Sequence, residues 1–249
     1  MSLNELEDEQ SGSAPRQQES QSAESLKNAA SDSALTEDLA LALLKRPDLP
    51  AEACEALTRN ANLVKLRKVR RRVVEHPRTP RHVSLAMLRH LYTFDLMQVA
   101  LTPVVPADIK RAADEALVTR LETISSGEKL SLACRASRRI AEELLAEKEP
   151  RVIRAALENP RLSESSIVKA LARHDALTNL VEAVCQHAKW SLRREVRVAL
   201  LRHEKTPLAK ILEFARSLPP ALLREILRNP RFPASTRTYL LKELKPPAL

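Results

Sequence analysis

Three features of the sequence predict an all-α protein built as a stacked array of helices. A short Pro-x-x-Pro frame recurs along the chain. Apolar residues at helical spacing flank each copy, as one buried helix face requires. Runs of β-branched residues are short, and only 2 glycines occur in 249 residues. A unit repeated at this scale cannot bury its apolar face alone, so it stacks on its neighbours.

The copies are, in order, Arg46-Pro47-Asp48-Leu49-Pro50, His76-Pro77-Arg78-Thr79-Pro80, Thr102-Pro103-Val104-Val105-Pro106, Asn159-Pro160-Arg161-Leu162-Ser163 and Asn229-Pro230-Arg231-Phe232-Pro233. His203-Glu204-Lys205-Thr206-Pro207 is a degenerate sixth. The first proline ends a helix, because it has no N–H to donate and pushes the residue before it out of the α region. The second falls where a helix begins, a position that tolerates proline, with Thr79 and Thr206 as expected N-caps. Ser163 takes that slot in the fourth copy. The predicted corners are therefore Pro47, Pro77, Pro103, Pro160 and Pro230. The interval from Pro103 to Pro160 is about two units long, and Ser125-Ser126-Gly127 near its middle reads as a worn corner.

The residues before each corner repeat as well. Arg71, Arg154 and Arg224 stand six positions before a corner proline, with Val73 and Val74, Ala156 and Leu157, and Ile226 and Leu227 behind them. Arg197, Leu200 and Leu201 form a similar group, offset by one. These residues, above all Arg151 to Pro160 and Leu223 to Pro233, resemble the leucine-rich repeat variant family and its HEAT-like relatives. Over residues 40 to 245 the resemblance implies a right-handed superhelical solenoid of paired helices. Some members of the variant family carry an iron–sulfur cluster on an N-terminal cysteine group. This chain has no such group, so no cofactor is implied.

Residues 1–35 differ in kind. They are rich in Ser, Gln, Glu and Ala, with seven acids and two bases. A segment so poor in large apolar residues does not offset its ordering entropy, so it is expected to be a disordered acidic tail. Residues 36–249 are expected to form the repeat domain, with 39 bases against 25 acids, net +14.

Chemistry is hard to find. A phosphate loop or dinucleotide-binding turn needs several glycines, which are not available. Cys54, Cys134 and Cys185 are far apart and sit among Ala, Leu or Val, the setting of buried reduced thiols. Cys185-x-His187 is the only tight Cys/His pair, too few ligands for zinc. His76 and His203 occupy the corner slot that Asn159 and Asn229 fill elsewhere, so they read as turn residues. Trp190 reads as a packing anchor. No catalytic, cofactor or metal residue is singled out. No basic stretch leads into an apolar one at the N-terminus, and no apolar run reaches the ~20 residues that span a bilayer, so a cytoplasmic, non-membrane protein is expected.

The basic clusters are the functional lead. Lys65-Leu66-Arg67-Lys68-Val69-Arg70-Arg71-Arg72 is the densest. If units stack in register, Lys65, Lys68, Arg71 and Arg72 join Arg138, Arg139, Arg193, Arg194, Arg197, Arg224 and Arg228 in a positive stripe. Such a stripe attracts phosphate backbones or acidic proteins. One Trp, two Tyr and three Phe provide few stacking platforms for exposed bases. The composition and the resemblance favour a non-enzymatic scaffold for a protein partner. Nucleic-acid backbone binding is the alternative. A repeat-fold enzyme on DNA, as in the HEAT-like glycosylases, would need an acid buried in a basic groove.

Overall fold

The computed structural model describes residues 13–228 and 234–243. Among them are seventeen α-helices and no strand. The chain divides into two compact units at Arg120/Leu121, where one repeat domain was expected. The first unit holds α1 (Ser13–Ser31), α2 (Glu37–Leu43), α3 (Ala51–Arg59), α4 (Ala61–Lys65), α5 (Arg67–Glu75), α6 (Arg81–Leu88), α7 (Thr93–Leu101) and α8 (Ala107–Arg120). The second holds α9 (Ser126–Arg135), α10 (Arg138–Leu144), α11 (Pro150–Leu157), α12 (Glu164–Ala172), α13 (Thr178–Gln186), α14 (Arg194–Leu201), α15 (Leu208–Arg216), α16 (Pro220–Arg228) and α17 (Ala234–Glu243).

Among the described residues the main helix packing is between near neighbours in the sequence. In the second unit α9, α11 and α13 adjoin one another, and α10, α12 and α14 form a second row. In the first, α5 packs on α2, α4, α6 and α7, and α8 packs on α6 and α7. The buried faces follow the helical period: Val152, Ile153, Ala156 and Leu157 of α11 are all buried. Burying each large aliphatic side chain contributes about 1.5–3 kcal/mol.

The corners share one geometry. The carbonyl of the first residue accepts the N–H of the fourth: Leu49 to Arg46, Thr79 to His76, Val105 to Thr102, Leu162 to Asn159 and Thr206 to His203, at 3.1 to 3.4 Å. Each fourth side chain is buried. Two further corners have no proline. In Asp32-Ser33-Ala34-Leu35-Thr36 and Arg173-His174-Asp175-Ala176-Leu177, Leu35 and Ala176 donate to Asp32 and Arg173 in the same way. Ser125 caps α9 through a capping box with Glu128, so that segment is indeed a corner. The corner at Pro230 lies outside the described residues, as does Arg231.

Two local expectations are corrected. Pro80 and Pro207 are N-cap residues rather than the first helical residues. Thr79 and Thr206 turn the other way, their hydroxyls donating at 2.6 Å to the Val73 and Leu200 carbonyls of the helix just ended. The stretch expected to be disordered contains α1, which packs on α3 with Leu26 and Ala30 buried. One helical turn separates those two residues, so they share a face. Residues 1–12 lie outside the described region.

No described residue has a positive φ. The helices therefore end without the left-handed cap that usually satisfies the last carbonyls. Side chains one repeat further on reach carbonyls of the helix ends and of the corners that follow them. Nε2 of His76 lies 3.0 Å from the Arg46 carbonyl, and Arg78 donates to Asp48 O at 3.1 Å. Arg120 donates to the Leu91 and Arg89 carbonyls. Asn159 donates to Ala133 O (2.7 Å) and Ala136 O (3.2 Å), and Arg161 to Arg135 O. Buried Trp190 donates its indole N–H to Leu157 O at 2.8 Å, and Lys205 reaches Ala176 O at 2.7 Å. Cations at helix C-termini are also favoured by the helix dipole.

Candidate functional site

Helix α5 carries the densest cations, and its neighbours decide what each one does. Arg70 donates to the Val64 and Lys65 carbonyls at the end of α4, and to His90 O after α6. Arg197 repeats the first of these contacts, donating to Ser191 O six residues back at 2.7 Å. Arg70 and Arg197 both stand six residues before the first corner residue. The one-residue offset seen in the sequence thus disappears: Arg197 corresponds to Arg70, not to Arg71.

Arg67, Arg71 and Arg72 surround two buried carboxylates. Asp95, 2% exposed, enters from α7 and receives both forks of Arg67, at 2.7 and 3.1 Å. Arg71 lies 3.6 Å from Asp95 and 3.4 Å from Glu75, ion-pair rather than hydrogen-bond distances. Arg72 reaches Glu75 at 3.2 Å. Burial pushes the Glu75 carboxyl above its ordinary range, although Arg71 and Arg72 pull the other way. Three arginines face two carboxylates, so the cluster stays positive. Arg67 also lies over the ring of Tyr92, 5.1 Å from its centroid. Asp95 and Tyr92 were missed in the sequence, where the only signal was an acid and an aromatic near an α7 N-terminus.

The predicted stripe splits between the two units. Lys65, Lys68, Arg71 and Arg72 belong to the first, and the other seven residues to the second. Lys65 and Lys68 are exposed, and their side chains make no hydrogen bond or ion pair among the described residues. In the second unit Arg138 lies 3.6 Å from Glu142, and Arg139 also engages a partner. Arg197 caps Ser191 and lies 5.8 Å from the Phe214 ring. Arg224 donates to Pro220 O. Arg193, Arg194 and Arg228 are exposed, with no such partner among the described residues.

Three shallow clefts lie elsewhere. One of about 420 Å³ opens over α9, α11 and α13, lined by Cys134, Arg154, Glu158, Gln186 and His187 with three alanines. His187 Nδ1 accepts the Lys189 N–H at 3.2 Å, which leaves the proton on Nε2, 3.2 Å from Glu158 Oε1. A second, about 240 Å³, has Glu142, Lys148, Arg173 and Asp175 around its apolar walls. The third, about 430 Å³, lies in the first unit by Ser31, Arg59 and Asn60.

Cys54 and Cys185 are buried as expected, and burial raises the Cys185 thiol pKa to about 11. Cys134 is exposed, because it faces that first cleft and not the core. Trp190 is buried as a packing anchor. Among the described residues no group of three or more His, Cys, Asp or Glu is placed to hold a metal ion, and no helix is long and apolar enough to cross a membrane. Compared with protein-family models, with curated proteins and with solved structures, the chain matches none.

Proposed function

We propose that this chain is a non-enzymatic scaffold, a HEAT-like solenoid of paired helices that binds a protein partner. The recurring corner and the packing of each helix on its sequence neighbours support the solenoid. The observation that carries the functional reading is the fate of the buried acids. Asp95 and Glu75 are the charged residues in the described core, and arginines hold both. A carboxylate whose oxygens are already engaged is poorly placed to accept a proton or attack a substrate. A buried acid in a basic setting was the condition for the enzyme on DNA, and this one is a clamp. The alternative, nucleic-acid backbone binding, draws on the uncompensated Lys65, Lys68, Arg193, Arg194 and Arg228.

The test is capture of partners by the tagged chain from native lysate, with and without nuclease. Protein recovered equally in both arms supports the scaffold. Loss of the recovered material after nuclease overturns it in favour of nucleic acid. Release of altered bases or nucleotides from added duplex would overturn the non-enzymatic reading.

A further inference from the structure

We infer that the exposed face made by Lys65, Arg67, Lys68 and Tyr92 is the docking surface for an acidic segment of the partner protein. The inference rests on the scaffold reading and names where the partner sits and what chemistry it carries.

Tyr92 is 60% exposed and the Arg67 side chain 57% exposed. The Asp95 carboxylate accepts both hydrogen bonds of the Arg67 fork, and the guanidinium lies over the tyrosine ring. An arginine already oriented in this way loses less freedom on binding than a free one. Tyrosine and arginine are also the residues in which binding energy concentrates. Lys68 follows Arg67 on α5, and Lys65 ends α4 two residues earlier. Both lysines are exposed, and their side chains have no ion-pair partner among the described residues. With Arg67, Arg71 and Arg72 set against Glu75 and Asp95, the face keeps a net positive charge that an acidic segment complements.

The same details favour a protein segment over a phosphate backbone. Arginine recognises phosphate through its bidentate fork. On this face the Arg67 fork is taken by Asp95, which leaves lysines as point charges. A single exposed ring is a poor platform for successive bases.

The experiment is a fluorescence-anisotropy titration of the full chain at low salt. The probe is a fluorescein-labelled peptide of about twelve residues repeating Glu-Glu-Leu-Pro, chosen to carry charge with spaced apolar side chains. A lysine-for-glutamate version and a short duplex DNA serve as comparators. The acidic peptide is expected to bind, and the lysine version not to. Lys65→Glu with Lys68→Glu should weaken binding by about tenfold or more, and Tyr92→Ala by several-fold. Arg202→Glu with Arg216→Glu, two exposed residues outside this face, should leave it unchanged. Absence of peptide binding, equal binding by all variants, or tighter binding of the duplex would each overturn the assignment. If nuclease-resistant protein capture persists while the face variants have no effect, the scaffold reading stands and this surface falls.

Discussion

The corners at His76 and Asn159 do one job with two chemistries. In the first unit the imidazole accepts the Arg78 N–H on Nδ1, so its Nε2 donates to the Arg46 carbonyl. In the second the Asn159 amide accepts the Arg161 N–H at 2.9 Å and donates to two carbonyls at the end of α9. Each side chain closes its own turn and reaches an earlier segment, a corner carbonyl for His76 and a helix end for Asn159. What the corner requires is an acceptor and a donor on one short arm, and the residue type is secondary.

The largest effect is expected at Asn159, which is 1% exposed and makes three hydrogen bonds. Asn159→Ala leaves those partners unsatisfied and should lower stability by about 3 kcal/mol, read from the urea midpoint. His76→Ala removes two backbone bonds and the 3.4 Å contact between Nδ1 and Cys54 Sγ, at a site 5% exposed, and should cost about 2 kcal/mol. If the corners are equivalent, His76→Asn should recover part of that loss, since an amide still closes the turn but has a shorter reach towards Arg46 O. A full loss with asparagine would break the comparison.

The threonine bonds sharpen it. Thr79→Val and Thr206→Val each remove a hydroxyl donor to the helix just ended, and each should cost about 1 kcal/mol by thermal or urea unfolding. Unequal costs would show that the two units use their corners differently.

The smallest effect is at His203, where the amide and the imidazole are expected to differ only in pH dependence. Burial, and secondly Lys205, holds the His203 imidazole below its ordinary pKa of 6.5. Its Nδ1 accepts the Lys205 N–H, a bond that protonation removes. In the window just below pH 6.5 the unfolded chain therefore binds more protons than the folded one. Stability rises with pH through that window and falls on acidification. His203→Asn should match the wild type above pH 6.5 and lose less stability below it, measured as melting temperature against pH.

Proline made most of the corners legible, because its effect on backbone geometry is local. The corners at Asp32 and Arg173 use no proline and were not read. Their signals are a polar first residue and an apolar fourth, both too common to stand out. Helix α1 was missed because Leu26 and Ala30, the buried residues among its described side chains, make a faint apolar face. The α5 cations were legible as a cluster but not as a site. Whether an arginine is available depends on Asp95 or His90, more than twenty residues away for Arg67 and twenty for Arg70. The chain's basicity has the same origin in part: Arg120 and Arg161 serve helix ends from a repeat away, and Arg78 and Lys205 serve corner carbonyls.

The placement of those donors imposes an order in time on a chain made from its N-terminus. The carbonyls that close α9 wait for Asn159 and Arg161, and Leu157 waits for Trp190. During synthesis α9 and α11 therefore emerge with these carbonyls bare, and they are completed only when the residues that serve them, 23 to 33 positions later, have left the ribosome. Such a segment is exposed longer than one whose helix end is closed by its own residues.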